Sequence, residues 1–286
     1  MSYNKFVIER KLKEFLEEDC NFVDVSANVI PKDAIISAKI ISKNKGFISG
    51  LEELKLLYDI LNISSEFFKN DGDKFRKGEI IVKLKGNARD ILLSERTGLN
   101  LITHMSSITT TTKKFAKIIE DSGKQVKIAC TRKTLPGLRI FEKKAVSLAG
   151  ELADTHRFSL DDMILLKDTH LKFYNGNLKE LLNYASKNAS FSKKIEIEVE
   201  KTEDVLEAAE NGANIIMLDN MSPDQVDDSI KLLIKRNLRQ KVIVEVSGGI
   251  TEKNIIDYIL AKPDVISVGE ITQFPSEKVD LALYFD

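Results

Sequence analysis

Residues 195–249 read IEIEVEKTEDVLEAAENGANIIMLDNMSPDQVDDSIKLLIKRNLRQKVIVEVSGG, and this stretch decides the fold. Three short apolar runs, Ile195 to Val199, Ile215 to Leu218 and Val242 to Val246, are separated by helical patterns that open at Thr202-Glu-Asp-Val and Ser222-Pro-Asp-Gln. A Ser or Thr followed by acidic or amide residues is a helix start signal. Strand alternating with helix implies parallel β/α units. Outward from this stretch the pattern repeats, with Val126 to Cys130 and Met163 to Leu166 before it, Val265 to Val268 after it, and a further helix expected from about Thr251.

Each run ends on polar residues: Thr131-Arg132-Lys133, Lys167-Asp168, Glu198 to Glu200, Asp219-Asn220, Ser247-Gly248-Gly249 and Gly269. In a β/α barrel the carboxyl ends of the strands converge on one site, so this recurrence reads as a single assembled pocket. An open doubly wound sheet also binds ligands at strand ends and is the architectural alternative.

Toward the amino terminus the character is mixed α+β. Tyr3 to Glu17 has a helical pattern, Ala34 to Ile41 and Glu79 to Leu84 read as strands, and Ala88 to Ser107 reads as a helix. Thr109 to Thr112 are four threonines of low helix propensity, so the helix is expected to stop there and the domains to change. The division expected is 1–110, 111–272 and 273–286.

Composition narrows the function classes. The 286 residues carry 43 Lys plus Arg against 44 Asp plus Glu, a formal net charge of -1, which leaves no global field for nucleic acid or an anionic membrane. No leader pattern or membrane-spanning run is visible, so a cytoplasmic enzyme is expected. Cys20 and Cys130 are the only cysteines and suggest neither a disulfide framework nor a zinc knuckle. Cys130 reads as a small buried apolar residue.

Anion binding must therefore be local. Arg132 and Lys133 follow a strand directly and precede the rigid turn Thr134-Leu-Pro-Gly137, while His156-Arg157 and Lys167 to His170 flank the strand ending at Leu166. Arginine forks and lysine point charges together suit a ligand with several anionic groups. Lys143 and Lys144 are assigned to solvent. Glu196, Glu198 and Glu200 share one strand face, and Glu198 with Asp219 forms the acidic pair suited to ligand hydroxyls or a divalent cation; Glu196 and Glu200 fit salt bridges better. Ser247, Gly248, Gly249 and Gly269 lack bulk, so backbone N–H groups can approach a phosphate.

Read in order, Glu95-Arg-Thr-Gly-Leu-Asn100, Thr131-Arg-Lys-Thr-Leu-Pro-Gly-Leu-Arg139, His156-Arg-Phe-Ser-Leu-Asp-Asp-Met163, Leu166-Lys-Asp-Thr-His170, Ile216-Met-Leu-Asp-Asn-Met-Ser222 and Ser247-Gly-Gly-Ile250 closely resemble the nicotinate-nucleotide pyrophosphorylase family, also called quinolinate phosphoribosyltransferase. The resemblance spans nearly the whole chain. It implies an α/β protein with an N-terminal α+β sandwich, an incomplete, open β/α barrel and a C-terminal segment returning to the first domain.

The implied activity, in NAD biosynthesis, joins quinolinate to phosphoribosyl pyrophosphate with Mg2+, giving nicotinate mononucleotide, pyrophosphate and carbon dioxide. The implied assembly is a homodimer or dimer-based oligomer in which Arg96 is donated across the interface. Arg132, His156, Arg157 and Lys167 would then hold the two carboxylates, and Lys133 and His170 would complete the cationic rim. Glu198 and Asp219 would face the ribose or Mg2+, and Ser247, Gly248, Gly249 and Gly269 the 5'-phosphate. The chain departs from the family pattern at Glu151-Leu-Ala-Asp-Thr155, at Thr169 and at Met105-Ser-Ser-Ile108. The alternatives are a phosphoribosyltransferase for nicotinate or another ring base and a non-catalytic sensor of phosphoribosyl metabolites.

Overall fold

A computed structural model describes residues 3–286. In chain order the elements are α1 (Lys5–Asp19), β1 (Ile35–Ser42), β2 (Gly46–Phe47), α2 (Leu51–Ile60), β3 (Ser64–Phe67), β4 (Lys74–Phe75), β5 (Ile80–Asn87) and α3 (Ala88–Ser122). There follow β6 (Lys127–Ala129), α4 (Arg139–Ser147), β7 (Ala153–Asp154), β8 (Ile164–Leu166), α5 (Asp168–Phe173), α6 (Leu178–Asn188), β9 (Ile195–Val199) and α7 (Thr202–Glu210). The chain ends with β10 (Ile215–Asp219), α8 (Pro223–Lys235), β11 (Ile243–Ser247), α9 (Ile255–Leu260), β12 (Val265–Ser267), α10 (Glu270–Gln273) and β13 (Leu281–Phe285).

Two compact units divide the described residues: one holds 3–111, 144–149 and 275–286, the other 112–143 and 150–274. In the first, an antiparallel sheet of order β13-β1-β5-β3 packs its apolar face into a core that includes Ala38, Ile40, Val82, Leu84, Leu57 and Tyr58. The return of the chain as β13 closes one edge of that sheet, pairing Ala38 with Phe285 and Ser42 with Leu281.

The second unit is a seven-stranded parallel sheet of order β7-β6-β12-β11-β10-β9-β8. Among the described residues β7 and β8 do not pair with each other, so the barrel is open. Its strands form where the apolar runs lie, and β9 has the predicted bounds. The register aligns Glu198 with Met217, Met217 with Glu245, and Asp219 with Ser247, which puts the polar strand ends in one layer. Ser222 caps α8 as expected: its hydroxyl accepts the Gln225 N–H at 3.3 Å and the Gln225 side chain accepts the Ser222 N–H at 2.9 Å.

Three expectations are corrected. The long helix does not stop at the threonines: α3 runs 35 residues through them, with Thr109, Thr111 and Thr112 fully buried. The Thr109 hydroxyl donates to Ala145 O at 2.7 Å, Thr110 accepts the Phe47 N–H and Thr111 the Glu277 N–H. Tertiary packing and these bonds outweigh a propensity deficit of a few tenths of a kcal/mol per residue, on the order of 0.5.

Lys143 and Lys144 are buried rather than solvated. Lys144 bonds Glu53 at 2.7 Å and Glu52 at 2.5 Å, while Lys143 reaches Thr155 O and lies 3.6 Å from Cys130 Sγ and 5.5 Å from the Phe158 ring centre. Each ammonium is held by specific partners, the condition under which lysine is buried. Finally, α9 begins at Ile255, not near Thr251; Asn254 accepts the Thr251 N–H at 2.7 Å and donates to Gly249 O at 3.0 Å, forming a turn behind the glycines.

Candidate active site

The carboxyl ends of the parallel strands enclose a cavity of about 630 Å³. Arg132, Lys133, His156, Arg157, Lys167, Glu198, Asp219, Ser247, Gly248, Gly249 and Gly269 all line it.

At the end of β6 the backbone turns sharply: Lys133 N donates to Thr131 Oγ1 at 3.0 Å and Thr134 N to Arg132 O at 2.9 Å. Thr272 of α10 bonds Lys133 O at 2.9 Å, and a Cβ on Gly269 would stand 3.1 Å from the Lys133 side chain. The turn is thus fixed from two sides. Arg132 Nε is shielded from solvent with no protein acceptor, a donor that an anionic ligand would satisfy.

Beyond β7, Asp154 accepts the His156 N–H at 2.8 Å and holds His156 in a left-handed conformation, φ 51°. Arg157 follows, largely buried; burial and then the neighbouring Arg132 depress its pKa. Two guanidiniums brought together at low exposure define a site for negative charge.

On the opposite side Lys167 pairs with Glu198 Oε1 at 2.5 Å. Burial, first, pushes the carboxyls of Glu198 and Asp219 above the ordinary range; Asp219 is raised further by Glu200. Asn220, itself left-handed at φ 55°, donates to Asp219 Oδ2 at 2.9 Å, and its N–H bonds Ser247 O at 2.9 Å. Gly248 packs directly against Asn220 at φ 96°, and Gly249 continues at φ 60°. Only glycine makes that close approach without strain.

Arg96, expected from a second subunit, and His170 are not among the lining residues. Arg96 is exposed on α3 in the first unit. His170 is absent from the lining: it stands in the first turn of α5, where its Nδ1 accepts the Lys167 N–H at 3.0 Å and caps the helix.

Conversely, sequence reasoning missed Glu245 and underrated Glu196. Glu196 is fully buried, with its Oε2 3.4 Å from His156 Nε2; Glu245 Oε2 lies 3.2 Å from the same nitrogen, and Glu245 Oε1 accepts Ser267 Oγ at 2.5 Å. The available signal was the lone charge inside Val242-Ile-Val-Glu-Val246, two residues before the strand-end serine and so on the same face.

The comparisons with known proteins cover most of the chain. The family description "Quinolinate phosphoribosyl transferase, C-terminal domain" matches residues 108–284, and its N-terminal counterpart matches 24–106. A relative from Methanothermobacter thermautotrophicus, named probable nicotinate-nucleotide pyrophosphorylase [carboxylating], is 40% identical over 95% of this chain and 96% of its own length. The Dictyostelium discoideum protein named nicotinate-nucleotide pyrophosphorylase [carboxylating] is 35% identical over 94% of this chain and 93% of its own. The solved nicotinate-nucleotide pyrophosphorylase from Francisella tularensis superposes with a TM-score of 0.89 at 31% identity, covering 100% of this chain and 98% of that one. On sequence, fold and the convergence of its strand ends, the chain belongs to the quinolinate phosphoribosyl transferase family.

Proposed function

We propose that the chain transfers the phosphoribosyl group of phosphoribosyl pyrophosphate to quinolinate with decarboxylation, giving nicotinate mononucleotide, pyrophosphate and carbon dioxide, a step of NAD biosynthesis. The observation that carries this reading is one cavity with three chemically distinct walls: arginines at β6 and β7, carboxylates at β9 and β10, and a glycine turn at β11. They suit, in turn, a dicarboxylate, a ribose and a phosphate.

In this reading Arg132 and Arg157 take the ring carboxylates, with Lys167 nearby and His156 as a wall. Lys133, fixed beside Gly269, faces the pyrophosphate, and Ser247 to Gly249 hold the 5'-phosphate. The ring nitrogen attacks the anomeric carbon as the bond to pyrophosphate breaks, and Glu198 and Asp219 stabilise the cationic charge that develops on the sugar. The nitrogen is then cationic, so the electron pair left at the ring carbon by loss of carbon dioxide is stabilised there until a proton replaces it. The protein's work is positioning and exclusion of water.

Glu198 and Asp219 also fit Mg2+: they offer oxygen donors from adjacent strands, and burial disfavours their charge in a way that a cation relieves. Bound there, Mg2+ would neutralise charge on the departing pyrophosphate.

Release of labelled carbon dioxide from carboxyl-labelled quinolinate, dependent on phosphoribosyl pyrophosphate, tests the reaction. Nicotinate mononucleotide formed from nicotinate but not from quinolinate refutes it in favour of a different ring acid. Arg96, exposed on α3, is proposed to complete the site of a second copy. Mixed Arg96→Ala and Lys133→Ala subunits should then recover activity, and none recovered after demonstrated exchange would reject a shared site.

A further inference from the structure

Both ring nitrogens of His156 are engaged by the protein. Nε2 faces Glu245 at 3.2 Å and Glu196 at 3.4 Å, whereas Nδ1 accepts the backbone N–H of Arg157 at 2.7 Å. The surrounding groups come from three strands: Glu196 from β9, Glu245 from β11 and Ser267, which bonds Glu245, from β12. Asp154 at the end of β7 fixes the His156 backbone in the left-handed region. That is a costly conformation for a residue with a Cβ, and it is held only where surrounding structure determines it.

This geometry bears on where the proton sits. A nitrogen that accepts an N–H carries no hydrogen, so the ring's single proton belongs on Nε2, the nitrogen that has a carboxylate oxygen of Glu245 at 3.2 Å and one of Glu196 at 3.4 Å. By charge alone the ring would take a second proton: burial lowers its pKa, but the two glutamates outweigh that and would hold it up at about 10. Against a second proton stands the Arg157 N–H: two hydrogens would be set head to head across 2.7 Å, and an amide of the main chain cannot turn away. The steric constraint decides in favour of the neutral ring.

We propose that Glu245, braced by Ser267, and Glu196 are positioning residues that fix His156 as its neutral Nε2–H form, and that His156 Nδ1 in turn fixes the backbone of Arg157. Arg132 and Arg157 then meet a ring dicarboxylate as the cations, with His156 as an uncharged wall; this last step rests on the function proposed above. His156, Glu196 and Glu245 have ligand atoms within 4.8 Å of one another, which invites a metal reading. With the proton on Nε2, no ring lone pair faces the carboxylates, and the trio is not a metal site.

The test uses the full chain labelled with 15N in its histidines, of which there are three. The signals missing from His156→Gln identify the residue. In the ligand-free protein at neutral pH, one protonated nitrogen, Nε2, and one bare nitrogen are expected, unmoved by equimolar Zn2+. A doubly protonated ring, a proton on Nδ1, or a shift with Zn2+ overturns the proposal.

Glu245→Gln keeps an acceptor for Nε2 and should leave the KM for quinolinate within about threefold, while Glu245→Met, of similar size without an acceptor, should raise it about tenfold and leave the KM for phosphoribosyl pyrophosphate nearly unchanged. Equal losses in both variants, or equal effects on both substrates, overturn the positioning role. Should Glu245→Met not fold, Ser267→Ala takes its place, with a rise of about threefold expected and no rise overturning the proposal. The labelled spectra need no substrate. Wild type that shows the expected tautomer but binds no quinolinate therefore defeats the functional reading and leaves the tautomer standing.

Discussion

Replacing Gly248 by alanine should damage the phosphate wall by an amount the structure sets. A Cβ there would lie 2.7 Å from both Cγ and the backbone N of Asn220. Asn220 cannot yield easily: its side chain bonds Asp219 Oδ2 and its N–H bonds Ser247 O, both at 2.9 Å. Left-handed backbone costs a residue with a Cβ about 1–2 kcal/mol, and overpacking adds about 1–3 kcal/mol, so Gly248→Ala should destabilise by roughly 2–5 kcal/mol. Gly249, also left-handed but with nothing within 4 Å of its added Cβ, should cost only the about 1–2 kcal/mol of the backbone. Urea unfolding followed by circular dichroism measures the pair. Because the clash moves both Ser247 and Asp219, the KM for phosphoribosyl pyrophosphate should rise about 10- to 100-fold in Gly248→Ala. A Gly248→Ala protein as stable as Gly249→Ala refutes the steric argument. A destabilised one with unchanged KM takes the phosphate off this loop.

Lys144→Met leaves the fully buried Glu53 carboxylate without its partner and should cost about 3–5 kcal/mol in urea unfolding, far beyond a surface lysine. Burial pushes the Cys130 thiol up to about 11, so at pH 8 a thiol reagent should modify Cys20 in the native chain and reach Cys130 only after unfolding. With its folded pKa above an unfolded value of about 8.5, the Cys130 thiol contributes stability below that pH, lost as pH rises toward 11; a Cys130→Ala protein should show a shallower decline by urea midpoint. Quinolinate should bind at least about tenfold more tightly than nicotinate in calorimetry, since one carboxylate leaves an arginine unmatched; equal affinities would contradict the pairing.

The barrel was legible because its signal is local: an apolar run, a polar end and a capped helix recur, and each is set by a few neighbouring residues. What was hidden depended on contacts distant in sequence. Thr109 to Thr112 look like a helix stop until Ala145, Phe47 and Glu277 supply partners to their hydroxyls. Lys143 and Lys144 look like a solvated face until Thr155, Glu52 and Glu53 arrive from up to 92 positions away. Short strands such as β3 and β7 carry too few residues to show a period. Strand ends announced the cations and glycines, but of the carboxylates at His156 the alternation of β9 placed Glu196 only on the face of Glu198, and Glu245 showed only as an isolated charge.

Those carboxylates also bear on why a neutral lining selects an anion. Arg132, Lys133, Arg157 and Lys167 face the cavity, and so do Glu198, Asp219 and Glu245, with Glu196 behind. By count the charges nearly cancel; by arrangement they do not. Glu196 and Glu245 are turned on the His156 ring, and Glu198 on Lys167. With Asp219 near enough to Lys133 for that ammonium to favour its charge, two arginines are left, close enough for Arg132 to help depress the pKa of Arg157. A pair of cations held together against their repulsion is relieved most by a ligand that brings one carboxylate to each, on a rigid frame that cannot fold both onto a single arginine. The spacing of negative charge, more than its amount, is therefore what the pocket selects.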